Sequence, residues 1–548
     1  MKDLIKKHAL HNAIQHKGKA NIGAVMSRVL GEDDSLRTKA KEISQEVQKI
    51  VKEINSYSKE KQLKELKHIA PELLEERKEE RNIFGFLNIN PKEKVITCFP
   101  PEPSKFPHLG HAKAVLLNYE LAKQYEGKFL LRFDDTNPNL AKKEFYEIIE
   151  NNLKWLGLKL NKIVYASDYM ETFYEYAEKL INLDKAYVCN CNQELIKLSR
   201  QKGLACNCQI NSEKENLKVW NKMLKGKSES ILRLKIDLKH QNSTMRDPTI
   251  FRIIKEIHPR TKNKYKAWPS YDFETPIMDG ILKVTHRLRS KEFELRTELH
   301  NYIQDLLQLK RTTYYEFGRL NLEGVESSGR KIRELIKSGE LMGWDDPSLT
   351  TIVALKRRGF QPEAIKEFVL NSGISKAEAT LTWDDLYAIN RRIIDFIASR
   401  YFGLYDYYQI EIKNSPKQEI KLPLHPGAKT SPRKFKTINK FFIQDKLFNN
   451  ETYRLMDCLN FKYKNNQAGF LSKKHDKTLK AKLIHWLPVQ KDLSNIEIMF
   501  PDKSIKKGIG EPLIKKLKVN DIIQFPRLGF ARVDSKEKDI IRFWFTHN

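Results

Sequence analysis

The chain has 548 residues, enough for three or four domains with real cores. Its 99 lysines and arginines against 70 acidic residues leave a formal charge of +29, which favours a polyanionic partner such as nucleic acid, although a lysine-rich proteome would leave the same mark. With no apolar run of the ~18 residues a membrane span needs and no signal-peptide core, a cytoplasmic chain is expected, and six cysteines over this length are not a disulfide framework.

Residues 1 to about 88 read as helical. Ile43, Val47, Ile50, Val51 and Ile54 recur at helical spacing, Leu63 to Arg81 is a charged helical stretch, and Gly31 and Pro71 punctuate the segment. A small helical domain is expected over 1–90, joined through Asn88-Ile89-Asn90-Pro91. From Glu93 strands and helices alternate. Val95 to Phe99 is a strand; Ala112, Val115, Leu116 and Tyr119 give one apolar face to a helix from His111 to Gln124, with Gly127 as its C-cap. A strand at Lys128 to Phe133 and a helix at Lys142 to Leu156 follow. This βαβ alternation predicts a parallel, doubly wound sheet with ligands at the carboxyl ends of its strands.

Residues 186–265 break the rhythm with two cysteine pairs and the strand-like Ser230 to Lys235, and read as an insertion between sheet halves at 91–185 and 266–330. Alternation resumes at Trp268 to Asp305. Residues 331–404 are helical, with Arg357-Arg358-Gly359 and Pro362 marking a turn between helices. Over 405–548 short strands take over, at Tyr408 to Lys413, Ile498 to Phe500, Asp521 to Phe525 and Ile540 to Phe545, which suggests one or two small barrels.

Two segments carry chemistry. The first is Phe99-Pro100-Pro101-Glu102-Pro103-Ser104-Lys105-Phe106-Pro107-His108-Leu109-Gly110-His111, a strand, a proline-rich loop and a helix start. Free backbone N–H groups and the positive end of the helix dipole suit a polyanion there. His108 and His111 add donors, and Gly110 would let a nucleotide approach the backbone. The bland alternative is a pair of helix-start histidines that only cap and pack. The second segment is the pair Cys189-Asn190-Cys191 and Cys206-Asn207-Cys208, which fits tetrahedral thiolate coordination of zinc, against the alternative of four unrelated thiols. Cys98 and Cys458 read as isolated buried thiols.

The His108-Leu109-Gly110-His111 loop resembles the first signature of class I aminoacyl-tRNA synthetases. Phe99 to Glu102, Leu131 to Pro138, Tyr271-Asp272-Phe273 and Gly343-Trp344-Asp345-Asp346-Pro347 resemble the glutamyl/glutaminyl branch. The helical N-terminus, the C-x-C pairs and the β-like C-terminus look like the archaeal type of glutamyl-tRNA synthetase. The resemblance covers essentially the whole chain. It implies a multidomain α/β protein with a Rossmann-type catalytic domain, an inserted acceptor-binding domain, a helical connective domain and a C-terminal all-β anticodon-binding region. It also implies a two-step reaction: glutamate and ATP give glutamyl-adenylate and pyrophosphate, and the 3′-terminal adenosine of tRNA(Glu) accepts the glutamyl group. Charging of tRNA(Gln) is left open, and a monomer is favoured.

By the same resemblance, Pro101, Glu102, Pro103, His108, Gly110 and His111 bind ATP with Mg²⁺, and the two histidines stabilise charge on the phosphates. Asp134 holds the substrate ammonium group, with Asp135 ordering the loop; Tyr271 lines the glutamate pocket, and Arg289 reads the side-chain carboxylate. Zn²⁺ on Cys189, Cys191, Cys206 and Cys208 would be structural, since four thiolates leave no open position.

Three positions depart from the family pattern. Cys98 replaces an arginine that contacts the amino acid, for which Lys105 is a candidate substitute. Lys105 itself stands where glycine is usual. In the second signature, Glu326-Ser327-Ser328-Gly329-Arg330-Lys331-Ile332, Gly329 occupies the usual lysine position, so Ser328 with Arg330 or Lys331 is expected to meet the ATP phosphates. These departures motivate the competing reading, a catalytically impaired paralogue that binds tRNA. A glutamine-specific enzyme is disfavoured by Arg289.

Overall fold

A computed structural model describes residues 2–15, 18–32, 40–70, 73, 83–90, 93–325, 328–427 and 433–548. The chain divides into two compact units, Met1–Asn88 and Ile89–Asn548.

In the first unit, α1 (Lys2–Gln15), α2 (Ile22–Glu32), α3 (Ala40–Ile54) and α4 (Lys59–Ile69) pack around Ile5, Leu10, Val25, Val47 and Leu66. The expected stripe on α3 is buried at all five positions, from Ile43 to Ile54. Gly31 lies in the last turn of α2, which ends at Glu32. One expectation changes: α4 ends at Ile69, where the sequence suggests helix to Arg81. Pro71, Pro91, Arg81 and most of that charged stretch fall outside the described residues.

The second unit starts with β1 (Ile96–Phe99), α5 (Leu109–Gln124), β2 (Lys128–Phe133), α6 (Lys143–Trp155) and β3 (Lys162–Tyr165). After α7 (Met170–Asn182) comes an antiparallel sheet of β4 (Ala186–Cys189), β5 (Ile231–Leu234), β6 (Thr249–Ile253) and β7 (Ala267–Pro269), with α8 (Gln193–Lys202) and α9 (Glu213–Leu224) between its first two strands. The chain then returns through α10 (Tyr271–Ile281), β8 (His286–Ser290), α11 (Arg296–Leu306) and β9 (Thr313–Phe317). The main sheet has the order β3-β2-β1-β8-β9, and every neighbouring pair is parallel. The order reverses between β1 and β8, so the loops after those strands open a crevice at the carboxyl edge.

The insertion, sheet and helices together, does more than interrupt. Its Trp220, Phe251 and Trp268 pack with Phe273, Ile277 and Met278 of α10 and Leu299 and Ile303 of α11. Each of these buried side chains contributes ~1.5–3 kcal/mol, so the insertion holds the helix that carries Tyr271 and Glu274.

Gly127 does not cap α5. Tyr125 is the C-cap, and Glu126 takes the left-handed turn at φ 49°. A Cβ at Gly127 would lie 2.0 Å from the carbonyl oxygen of Val95, so glycine is required where the chain passes β1.

Beyond β10 (Leu320–Leu322), the helices α12 (Gly329–Ser338), α13 (Ile352–Arg358), α14 (Pro362–Asn371) and α15 (Trp383–Ile394) follow, with β11 (Ala379–Leu381) pairing to β10 in parallel. Ile352, Phe360, Ile365 and Phe368 join Phe99, Leu116 and Phe133 in one core. The turn expected at 357–362 is present, with Gly359 at φ 97°. Two seven-stranded sheets end the chain. One gathers Ser399–Arg400, Gly403–Tyr405 and the strands from Ser494 to His547; the other gathers Tyr408–Lys413 and the strands from Lys440 to Pro488. The second is thus nested within the first along the chain. No helix among the described residues is long and apolar enough to cross a membrane.

Candidate active site

The crevice at the carboxyl edge is a cavity of about 770 Å³. On one wall, His108 is the N-cap of α5. Its Nδ1 accepts the Gly110 N–H at 3.0 Å, and His111 Nδ1 accepts the His108 N–H at 3.2 Å. With both Nδ1 atoms accepting, the proton of each neutral ring sits on Nε2. Burial lowers His108 to about 4 and carries His111 well below the usual imidazole range, so both rings are neutral at pH 7. The pair, with ring centroids 4.0 Å apart, therefore caps the helix and also offers N–H donors to the cavity. Gly110 lines the cavity, but its missing side chain serves the cap: a Cβ there would meet His108 Cε1 at 2.8 Å.

The Gly343–Pro347 motif braces this loop. Phe106 stacks on Trp344 at 5.3 Å, and Thr351 Oγ1 donates to the Trp344 carbonyl. Leu109 N–H donates to the Thr350 carbonyl at 3.2 Å, and Ile352 N–H donates to the Pro107 carbonyl at 2.8 Å. Pro101, Glu102 and Lys105 line the cavity; Pro103 is not among the lining residues, and its carbonyl accepts from Lys142 N–H.

The opposite wall is a network of buried charge. Arg132 donates from Nε and Nη2 to the two oxygens of Asp134, at 2.6 and 3.1 Å, and from Nη1 to Asp279 at 2.7 Å. Arg287 donates to Asp279 through Nη1, at 2.9 and 3.1 Å, and Tyr314 donates to the same carboxylate at 3.0 Å. Burial alone would raise Asp279, but Arg287 and Arg132 outweigh it and hold the carboxyl below its usual range. Asp135 lies behind this wall, where it accepts from Tyr146, Ser167 N–H and Ser167 Oγ.

Arg289 reaches the cavity from β8. Its guanidinium donates to Glu316, Phe293 O, Thr297 Oγ1 and His300 Nδ1, a set that uses all but one Nη1 proton. Asn118 of α5 fixes the strand by bonding both N–H and C=O of Leu288. Tyr271 lines the cavity with its ring 5.2 Å from Phe293.

Cys98 does not take part. It is buried against Leu130 and Val284, and burial pushes its thiol up to about 12. Arg287 is the cation the sequence reading passed over. Thr97 on β1 pairs with His286 on β8, so Arg287 follows one register step along, beside Cys98, and it lines the cavity. Glu274 and Arg252 line it too. The signal for all three lies in which strand neighbours which, and that is invisible without the sheet order.

The second signature is placed differently. Glu326 and Ser327 fall outside the described residues. Ser328 is the N-cap of α12, which begins at Gly329; Arg330 is exposed and pairs with Glu334 at 3.1 Å. Ser328, Arg330 and Lys331 are not among the cavity-lining residues, although Gly329 packs beside Lys105, which is.

The four cysteines converge. Cys189 ends β4, Cys206 caps a 3₁₀ turn over Asn207–Ile210 that carries Cys208, and the four Sγ atoms lie within 4.8 Å of one another. Cys189 and Cys206 are 3.8 Å apart and Cys191 and Cys208 3.9 Å. A tetrahedron with arms of ~2.3 Å has edges of ~3.8 Å, so this donor set fits zinc. A larger cavity, about 1100 Å³, runs beside the cluster, lined by Arg200 and Arg246 among others; Arg252 lines both cavities. The smaller one is where the polar groups of the two walls converge.

Residues 94–396 match the family described as tRNA synthetases class I (E and Q), catalytic domain, and residues 483–534 the corresponding anti-codon binding domain. A glutamate--tRNA ligase of Methanocaldococcus jannaschii is 38% identical over 548 residues, covering 98% of this chain and 98% of its own. The glutamate--tRNA ligase of Pyrococcus furiosus is 40% identical over 575 residues, covering 99% of each. A solved glutamate tRNA ligase from Elizabethkingia meningosepticum aligns with 56% of this chain and 70% of its own, at 18% identity and a TM-score of 0.43.

Proposed function

The chain belongs to the glutamyl/glutaminyl branch of the class I tRNA synthetases, and from that premise we propose that it is a glutamate–tRNA ligase. The observation that carries the reading is the joining of two neutral imidazole donors and the Arg289 guanidinium in one cavity. Glutamate's α-carboxylate attacks the α-phosphate of ATP; an O–P bond forms and pyrophosphate leaves. A ribose hydroxyl of the 3′-terminal adenosine of tRNA then attacks the carbonyl carbon of the adenylate; the ester C–O bond forms, the C–O bond to phosphate breaks, and AMP leaves. No protein nucleophile is required, so positioning and charge stabilisation do the catalysis.

His108 and His111 donate from Nε2 to the phosphates, with Pro101, Glu102 and Gly110 flanking the nucleotide and Mg²⁺ arriving on ATP. Arg289 gives its remaining proton to the substrate side-chain carboxylate beside Tyr271. Arg287 is placed to supply the cation that Cys98 lacks, toward the α-carboxylate. Ser328, Arg330 and Lys331, which lie outside the cavity lining, would come to the phosphates from the α12 side, next to Lys105. Cys189, Cys191, Cys206 and Cys208 would hold a structural zinc, fixing the fold of the inserted segment against the acceptor end of tRNA. Arg252, shared between the two cavities, supports entry of that end from the insertion side. The C-terminal β region takes the anticodon, and the cytoplasm is the setting.

Aminoacylation with labelled glutamate, ATP and Mg²⁺ on separate tRNA(Glu) and tRNA(Gln) transcripts tests the reading. Incorporation on tRNA(Glu) supports it, and incorporation on tRNA(Gln) as well makes the enzyme non-discriminating. No incorporation with tRNA binding intact replaces it by the tRNA-binding paralogue.

A further inference from the structure

Glu274 lies in the first turn of α10. Its side chain is buried and lines the cavity. Oε2 accepts from Thr136 Oγ1 at 2.5 Å, while Oε1 accepts from no group and the carboxyl makes its side-chain contact to Asp134. A buried carboxyl oxygen that accepts nothing leaves a place for a donor brought by a ligand. The charges around it sharpen the point. Asp134 has both oxygens committed to Arg132, and Asp279 is shared by Arg132 and Arg287, so two guanidinium groups already match two carboxylates. That network has no net negative charge to offer an ammonium group. Glu274 faces Asp134 and Arg132 from the β2 side and Arg252 from β6. Burial first, and then the negative charge of Asp134, carry its carboxyl well above the usual range, which favours its protonated form.

We infer that the α-ammonium group of the amino-acid substrate docks between Glu274 Oε1 and Asp134, taking the place of the carboxyl proton of Glu274. The inference rests on the adenylation reading above. One O–H bond is lost and the proton goes to solvent; the ammonium group brings the positive charge that replaces it, so the net charge of the site is unchanged. Protons and substrate therefore compete for Glu274. The KM for glutamate should rise as pH falls, by up to about tenfold per unit, without a matching change in the KM for ATP.

The test has a wild-type arm and a variant arm. In calorimetry of L-glutamate binding to the protein–tRNA complex, wild type should release a proton, read as a heat that depends on buffer ionisation; no release overturns the inference. Glu274→Gln keeps the shape of the neutral acid. In tRNA-dependent ATP–pyrophosphate exchange it should raise the KM for glutamate roughly tenfold or more, flatten its pH dependence and leave the KM for ATP in place. Glu274→Asp should keep part of the pH slope, and it carries the comparison if the glutamine variant fails to fold. An unchanged KM with the slope retained overturns the inference while the ligase reading stands. A wild type that activates no glutamate overturns both.

Discussion

The cavity wall and the cysteine cluster both crowd ionisable groups together, but they balance charge in opposite ways. In the wall, Arg132 and Arg287 meet Asp134 and Asp279 within hydrogen-bond distance, so the fold supplies its own counter-charges. In the cluster, four thiols lie within 4.8 Å of one another, and Arg233 Nη1 approaches Cys189 Sγ at 4.0 Å. Burial and the neighbouring thiols push Cys191 up, whereas Cys206 is lowered because hydrogen bonds from Cys208, Cys189 and Cys191 outweigh its burial. Four thiolates at that spacing need a cation from outside the chain. The wall is thus a structure complete in itself that can wait for substrate, and the cluster is one that metal completes.

The largest way to break this comparison is to remove the cation. Structural zinc contributes ~10–16 kcal/mol in small zinc peptides. Elemental analysis should find about one zinc per chain, and Cys208→Ser should lose it. The damage should stay local, because Trp220, Phe251 and Trp268 belong to a core that does not include the thiols beyond β4. Hydrogen exchange should therefore show lost protection over about 190–210, with the KM for tRNA raised and amino-acid activation less affected. A metal-free wild type with the same protection would remove the distinction between the two regions.

Asp279→Asn breaks the wall in the matching way. It leaves two buried guanidinium groups short of a counter-charge, which costs ~3–5 kcal/mol. Urea unfolding at neutral pH measures this. Since Asp279 is held below its unfolded value, its stabilisation is present above the usual carboxyl range and is lost as pH falls through the lowered value. The deficit of the asparagine variant should accordingly shrink in acid. Arg289→Ala acts on both substrate and fold, since it also strips the buried Glu316 of its partner. In protein that stays folded, losing a charge-assisted substrate contact of ~2–3 kcal/mol should raise the KM for glutamate roughly a hundredfold, with a smaller change in the KM for ATP.

What the sequence could show follows the same division. Local pattern was enough for the β1–α5–β2–α6 alternation and for the spacing of the cysteine pairs, because both are set by residues near one another in the chain. The wall was not readable in that way. An acid in the first turn of α10 looks like ordinary complement to the helix dipole, and Glu274 becomes a cavity carboxyl only because Asp134 and Thr136, the latter 138 residues earlier, arrive from the loop after β2. Gly127 looks like a cap until Val95 is seen behind it. Arg287 reads as a neighbour of Arg289 until the sheet order sets it beside Cys98. Nonlocal pairing decides all three, and one sequence without its sheet order does not contain it.

His108 gives the finest test, because it joins a local role to a nonlocal one. As an N-cap it satisfies an orphan N–H of α5, and His108→Ala should cost ~1 kcal/mol in urea unfolding. Asparagine is a strong N-cap, so His108→Asn should restore most of that stability. The Nε2–H donor is lost in both, so both should turn over slowly in aminoacylation. The pH profile separates the roles again. The imidazole sits at about 4 in the folded chain against 6.5 ordinarily, so the unfolded chain takes up the proton first as pH falls. Its contribution is whole above the ordinary value, declines below it and is gone by about 4, and the asparagine variant should lack that part of the acid slope. If His108→Asn recovers both stability and turnover, the histidine is only a cap, and the phosphate-facing wall loses the donor that sets it apart from any other helix start.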